Sequence, residues 1–172
     1  VLYRYHEKDQ PGFWNILSDI IETSDHSIWV TTYNNSDHSG LHKFDEKSGL
    51  FSRYSYQPNN LTSLSWAYCE TVFEDKDNNL WVGTSRGLNK ADLNRWQMGM
   101  MNINPENPFD FANNFYAIEE VEKDVFWLGL DGDGFIEWDR RSNKKWQFSI
   151  DDPRSGDGRI FTIRKDYDGK IW

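Results

Sequence analysis

The sequence predicts an all-β fold, an arc of a β-propeller built of four-stranded antiparallel blades. A tryptophan preceded by a large apolar residue recurs four times, at intervals of 52, 46 and 45 residues. Each tryptophan stands nine residues after an aliphatic residue, and three are followed by a Gly-Leu or Gly-Phe pair and a closing aspartate. A repeat period in the mid-forties with varying insertions is typical of propeller blades. The four tryptophans are Trp29, Trp81, Trp127 and Trp172.

Composition agrees with a globular chain that buries a core. Of the 172 residues, 37% are hydrophobic and 16% aromatic, so large rings can fill the space between sheets. The net charge of −9 argues against a nucleic-acid partner, which would need clustered cations. The sequence has no apolar run long enough to span a membrane and no signal-peptide pattern. Because it begins with Val1, we expect it to be an internal piece of a longer protein.

The first two strands of each blade are predicted from apolar runs joined by tight polar turns. The turns contain Asp, Asn or Gly, as a connection between antiparallel strands requires, and the second strand carries the tryptophan. These runs place the innermost strands at residues 15–23, 67–74, 113–122 and 159–166.

The third and fourth strands follow a loop that varies between repeats, over residues 33–39, 85–86 and 131–133. The third strands are predicted at residues 41–45, 88–92 and 135–139, and the fourth at residues 51–56, 96–103 and 146–150. Each fourth strand ends near a proline, which lacks the N–H that an inner strand would need.

The domain organisation is one propeller. We expect residues 1–14 to hold the last strand of a preceding blade and an inter-blade loop. Three full blades are predicted at residues 15–58, 59–105 and 106–153, and the start of a further blade at residues 154–172. Since a closed propeller has roughly four to eight blades, the arc leaves two blade faces uncovered.

The second repeat resembles the two-component regulator propeller repeat. The resemblance rests on an acidic turn at Glu74-Asp75, the run Leu80-Trp81-Val82-Gly83-Thr84, the pair Gly87-Leu88 and a closing Asp92. Residues 166–172 repeat its first half and residues 125–129 its middle. The first copy departs from the pattern at Thr31, where the family has glycine, and the third has Leu130 in place of threonine and Phe135 in place of leucine.

This resemblance implies a seven-bladed propeller from the periplasmic sensor region of a hybrid two-component histidine kinase of the Bacteroides type. It implies an oligosaccharide or other small ligand, a membrane-anchored parent protein and no catalysis in this segment. We also expect the full-length sensor to be a homodimer. Two alternatives stay open: a propeller enzyme, such as a lyase or glycoside hydrolase, and a protein-interaction scaffold.

No residue pattern in the sequence supports catalysis, a cofactor or a metal site. His38 and His42 are four residues apart, which suits metal ligands on a helix rather than a loop entering a strand. The acidic runs at residues 75–79 and 131–134 have the composition of tight turns and lack the closing glutamate of a calcium loop. Cys69, the single cysteine, is expected to be a small buried residue.

The predicted ligand site lies where the inter-blade connections and the loops between second and third strands meet around the propeller axis. Aromatic faces beside Asn, Asp and Arg provide the apolar surface and hydrogen-bonding groups that a sugar needs. The alternative is that the aromatic residues pack between blades. The candidate residues are Tyr33, Trp66, Tyr68, Arg86, Asn114, Tyr116, Asp131 and Arg159.

Two further expectations follow from this arrangement. Arg86 lies in a two-residue loop between glycine-fixed strands, so we expect it to be a well-placed donor for a ligand; the alternative is that it stacks on an aromatic ring of a neighbouring blade. We also expect the isolated 172 residues to associate or aggregate, because residues such as Ile20, Val30 and Ile163 would face outwards. The expected partners of these faces are the remaining blades of the same propeller or another copy of the chain.

Overall fold

The computed structural model describes residues 16–33, 38–92, 97–102, 106–107, 113–150 and 156–172. In these ranges the chain forms twelve strands in three four-stranded antiparallel sheets, here called blades 1 to 3. Blade 1 contains β1 (Ile16–Glu22), β2 (Ile28–Tyr33), β3 (Gly40–Asp45) and β4 (Leu50–Tyr54). Blade 2 contains β5 (Cys69–Glu74), β6 (Leu80–Thr84), β7 (Gly87–Asp92) and β8 (Gln97–Met101). Blade 3 contains β9 (Phe115–Glu122), β10 (Val125–Leu130), β11 (Phe135–Asp139) and β12 (Lys144–Phe148).

The order of strands within each sheet equals their order in the chain, as expected for a propeller blade. The all-β propeller arc predicted from the repeats is therefore confirmed. The innermost strands predicted in the three full blades correspond to β1, β5 and β9, and the predicted third strands to β3, β7 and β11. The outer strands β4, β8 and β12 each end two residues before the predicted end, and β12 also begins two residues earlier than predicted. The predicted strand of a preceding blade lies outside the described residues.

The fourth innermost strand, predicted at residues 159–166, is wrong as a continuous strand. Pairing in this region is limited to one bridge between Lys165 and Ile171, with reciprocal backbone hydrogen bonds between Arg164 and Trp172. A strand needs a partner along its length, and among the described residues it is the second half of this segment that pairs with residues 170–172. At its other end, the Ile160 N–H donates to the carbonyl of Leu130 at 3.1 Å, so the segment joins blade 3.

Two apolar cores hold the blades together face to face. The first lies between blades 1 and 2 and centres on Trp29, Leu41 and Val72. The second lies between blades 2 and 3 and centres on Trp81 and Phe126. Trp29 and Trp81 therefore each lie in a core shared with the next blade, which explains why their spacing follows the repeat. Trp127 instead contacts Phe135 and Glu137 of its own sheet.

A carboxylate also links each pair of neighbouring blades. The glutamate seven residues before the tryptophan accepts a backbone N–H from the first hairpin of the preceding blade. Glu74 accepts from Ser24 N at 2.7 Å, and Glu120 accepts from Lys76 N at 2.7 Å. Because the donor is a backbone group, this contact fixes the spacing between hairpins without depending on the donor's side chain.

The hairpin aspartate six residues before the tryptophan organises the turn and binds the indole. In blade 2, Asp75 Oδ2 accepts from Trp81 Nε1 at 2.8 Å, and Asp166 binds Trp172 in the same way at 2.9 Å. Blade 1 has Thr23 at this position, and Trp29 Nε1 has no hydrogen-bond partner in the described part of the chain. Asp75 also accepts hydrogen bonds from the backbone N–H groups of Asp77 and Asn79. The acidic run at residues 75–79 therefore forms a tight turn that Asp75 itself stabilises, without a calcium ion.

Of the three apolar residues expected to face outwards, only Ile20 does so, with 55% of its surface exposed. Val30 and Ile163 are buried, so the expectation was wrong for both. Val30 lies on β2, an interior strand, between Ile20 and His42 in neighbouring strands. Ile163 contributes to the wall of the cavity described below, beside Ile118 of β9.

Candidate functional site: a cavity between the innermost strands

The innermost segments of four successive repeats line an open cavity of about 520 Å³, here called the central cavity. It is large enough for a small ligand. Its walls come from β1, the end of β2, β5, β9 and the segment 161–164. The lining residues are Ile16, Ser18, Asp19, Tyr33, Glu70, Thr71, Tyr116, Ala117, Ile118, Phe161, Thr162, Ile163 and Arg164.

A β-bulge in each innermost strand determines which side chain enters this cavity. The register of β1, β5 and β9 against the second strand skips one residue at the same point of each blade: Ser18, Glu70 and Tyr116. β9 skips a second residue, Val121, near its hairpin. Each skipped residue stands eleven positions before the repeat's tryptophan, and Phe161 holds the same position before Trp172. All four line the cavity. A bulge turns one side chain out of the regular alternation, so each repeat presents one residue at the axis, here called the bulge position.

Glu70 is the charged member of this set. Its exposed fraction is 8%, and burial together with the negative charge of nearby Asp131 raises the pKa of Glu70 to about 7. A carboxyl group with this pKa exchanges its proton near neutral pH, which ordinary surface glutamates do not do. Perturbed carboxyl groups in cavities are characteristic of functional sites.

A polar cluster lies beside Glu70, between blade 3 and the segment that follows it. Asp131 accepts a hydrogen bond from Asn114 Nδ2 at 2.9 Å and forms an ion pair with Arg159 Nε at 2.6 Å. Arg159 also lies 3.1 Å from Asp157. Burial and the neighbouring carboxylates raise the pKa of Tyr116, so its hydroxyl stays protonated and can donate or accept. This cluster brings together four of the predicted site residues.

An aromatic cluster on the other side of the cavity holds the remaining four predicted residues. The rings of Tyr33 and Tyr68 lie 5.1 Å apart, those of Tyr68 and Trp66 6.2 Å apart, and those of Trp66 and Tyr56 5.1 Å apart. The guanidinium carbon of Arg86 lies 3.3 Å from the centre of the Trp66 ring. Tyr33 connects this cluster to the central cavity, since it also lines the wall.

Of the eight predicted residues, the structure places Tyr33 and Tyr116 in the cavity wall and the others in the two flanking clusters. Their assignment as ligand-binding residues stays a prediction. Sequence reasoning missed Ser18, Glu70 and Phe161. Counting back eleven residues from each tryptophan would have aligned them, and a glutamate in an otherwise apolar innermost strand was a visible signal.

Arg86 stacks on an aromatic ring, as in the alternative, but the ring is Trp66 of its own predicted blade (residues 59–105) and not one of a neighbouring blade. We expect replacing Arg86 with alanine to lower the free energy of unfolding by about 1 kcal/mol, because a cation over a tryptophan face is worth roughly that at a half-buried site. Denaturant unfolding would measure it. Arg86→Lys keeps the charge but not the planar stack and should recover only part of the loss. Unchanged stability with weakened ligand binding would identify Arg86 as a ligand donor instead.

His42 and Cys69, the other titratable residues considered from the sequence, are both buried in the fold. His42 is buried in β3, where burial lowers its pKa to about 4 and its Nε2 lies 3.0 Å from Thr32 Oγ1. Cys69 is buried in the first core, and burial raises the pKa of its thiol, so the expectation of a small buried residue is confirmed. Among the described residues, no group of three metal-ligating side chains is close enough to hold an ion. Those residues also include no helix that could cross a membrane.

One family model matches the sequence. Residues 63–86 match the family described as "Two component regulator propeller", which confirms the predicted resemblance over the end of the inter-blade loop and β5 and β6 of blade 2. The comparison with curated proteins found no match.

Solved structures share the fold. The chain resembles the extracellular domain of the hybrid two component system BT3049 from B. thetaiotaomicron, with a TM-score of 0.73 and 21% identity over 91% of this chain and 20% of that one. Two structures of the extracellular domain of BT4673 from the same organism give TM-scores of 0.60 and 0.58, both at 19% identity. These two alignments include 88% and 87% of this chain and 18% of each BT4673 chain. The chain thus spans about a fifth of the length of each.

Proposed function

We propose that this chain is a ligand-sensing segment of the extracellular, periplasmic part of a two-component sensor, and that it has no catalysis of its own. The repeat match and the fold shared with extracellular domains of two component systems support the sensor assignment. In this proposal the parent protein is anchored in the membrane, carries the remaining blades and signals as a homodimer. Binding of a ligand by the propeller is the input.

The ligand we propose is an oligosaccharide, bound at the central cavity. The observation that carries this proposal is the lining: Tyr33, Tyr116 and Phe161 supply aromatic faces beside the polar groups of Ser18 and Glu70, and all five come from four successive repeats. The rings of Tyr116 and Phe161 lie 5.1 Å apart. A sugar ring has apolar C–H faces and hydroxyl edges, so it can contact the aromatic rings of this wall and hydrogen-bond to its polar groups.

Titration calorimetry on the complete sensor domain tests this site. With an oligosaccharide that the domain binds, Tyr116→Ala should weaken affinity about tenfold, because it removes an aromatic face and a hydroxyl from the cavity wall. Tyr167→Ala is the matched control, since Tyr167 is fully exposed and does not line the cavity. Equal affinity in the wild type and the Tyr116 variant would move the ligand site away from the central cavity.

A further inference from the structure

Glu70 differs from the other bulge-position residues because it is an acid beside which the described residues place no neutralising cation. Its side chain lines the central cavity and is more than nine-tenths buried. Among the described residues, none donates a hydrogen bond to its carboxylate. Ionising a carboxyl group in a cavity wall with no cation beside it is costly, and a ligand that supplies a cation would offset that cost.

The cations near the cavity are already paired with other carboxylates. Arg159 lies 2.6 Å from Asp131 and 3.1 Å from Asp157, and Arg164 lies 3.9 Å from both Asp19 and Glu119. Asp19 in turn accepts from Thr71 Oγ1 and Val72 N. Once these pairs are counted, Glu70 is the lining carboxylate without a counter-ion in the described part of the chain.

We propose that the central cavity binds an amino sugar, with Glu70 as the counter-ion of the ligand's protonated amine. This inference rests on the oligosaccharide-sensing function proposed above and narrows its ligand class. A neutral sugar would supply no cation to stabilise the ionised form of Glu70, and an acidic sugar would add a negative charge beside Glu70 and Asp131.

The rest of the cavity suits a cation as well. Tyr33, Tyr116 and Phe161 present aromatic rings on the wall, and ring faces attract ammonium groups. The pKa of Glu70, about 7, also makes the site responsive near neutral pH, because an incoming amine favours the ionised carboxylate and expels its proton. Among the described residues, the other titratable or charged groups that face Glu70 across the cavity or lie beside it are Asp19, Tyr33, Tyr116, Asp131, Arg159 and Arg164.

Two disaccharides with the same linkage separate the amine from the sugar ring. The probe is the β-1,4-linked disaccharide of glucosamine, and the matched neutral ligand is cellobiose, which has hydroxyls in place of the amines. Calorimetric titration of the complete sensor domain at pH 6.5 should show the amino disaccharide binding at least tenfold more tightly. Repeating the titration in buffers of different ionisation heat should show release of a fraction of a proton for the amino disaccharide only.

Glu70→Gln should remove both the preference and the proton release, whereas Glu46→Gln, which changes an exposed residue outside the cavity, should leave them intact. Equal affinity of the wild type for both disaccharides would overturn the amino-sugar inference and leave oligosaccharide sensing standing. An unchanged preference in Glu70→Gln would overturn the role of Glu70. Binding of neither disaccharide would overturn the inference, and a wider oligosaccharide panel then decides separately whether the proposed function stands.

Folding of the Glu70→Gln variant can be checked independently of any ligand. Folding raises the pKa of Glu70 from 4.5 to about 7. Between pH 4.5 and 7 the folded state therefore keeps a proton on Glu70 that the unfolded state has released. Wild-type stability therefore loses this group's contribution as pH rises through that window. The Glu70→Gln variant should be folded, and its free energy of unfolding should rise relative to that of the wild type between pH 4.5 and 7. If the difference between the two proteins stays constant over this range, Glu70 is not buried as described.

Discussion

Replacing Arg140 with alanine should lower the free energy of unfolding by about 3 kcal/mol, the largest effect we expect from one side chain. Arg140 follows β11 in blade 3 and reaches into the first hairpin of blade 2. Its Nη1 lies 2.9 Å from Asp75 Oδ2, and its Nη2 lies 2.8 Å from Asp77. It also donates from Nε to Asp124 at 2.8 Å, within its own blade. The Asp75 side chain is fully buried, so removing the guanidinium leaves a buried charge without its cation.

The neighbouring arginine provides the control. Arg141 also pairs with Asp124, at 2.5 Å, but 71% of its side chain is exposed. Arg141→Ala should therefore change stability by less than about 1 kcal/mol, the usual value for an exposed ion pair. Denaturant unfolding of the complete propeller domain compares the two variants. If they cost the same, the Arg140 contact with Asp75 does not stabilise the junction between blades 2 and 3.

The repeat period allowed the blades to be predicted from sequence because the same positions recur in every copy. Trp29 and Trp81 pack against the following blade, so their spacing reports the blade length directly. Tight hairpins could be predicted because Asp75 and its equivalents bind their own backbone locally. These are short-range signals, and a single sequence contains them in full.

Contacts between blades could not be predicted in the same way. The turn at residues 75–79 was interpreted as a local structure, yet Asp75 also accepts a hydrogen bond from Arg140, 65 residues further along the chain. A long-range pairing of this kind leaves no spacing pattern within one repeat. The segment at residues 159–166 shows a second way in which a sequence-based prediction fails. Its apolar sequence predicts a strand, but strand formation requires a partner along its length.

The candidate site was predicted in part. Tyr33 and Tyr116 were identified from loop position and chemistry, and both line the cavity. Glu70 was missed because strict alternation along β5 says nothing about a bulge, which depends on how two strands register. Arg86 was placed in the correct loop, but its stacking on Trp66 depends on a ring 20 residues earlier in the chain.

Gly83 shows how a residue assigned from its pattern acquires a physical role only in the assembled arc. A Cβ at this position would lie 2.6 Å from the backbone oxygen of Phe115 in blade 3 and 2.6 Å from Thr71 Cγ2. Both distances are below van der Waals contact. Gly83 is therefore a point where two blades approach through their backbones, and not a turn residue. Gly129 has the same role, since a Cβ there would lie 2.6 Å from the backbone oxygen of Ile160.

We expect Gly83→Ala to lower the free energy of unfolding by about 2 kcal/mol, because the neighbouring blade must move to admit the methyl group. Gly99→Ala is the matched control on outer strand β8, where the nearest atom to an added Cβ is 3.9 Å away. That change should be neutral or slightly stabilising, since it also restricts the unfolded chain. Blade 1 has Thr31 at the equivalent position, and the residue of blade 2 that corresponds to Phe115 is the smaller Cys69. Equal stability of the Gly83 and Gly99 variants in denaturant unfolding would show that the spacing between blades 2 and 3 is not set by this backbone contact.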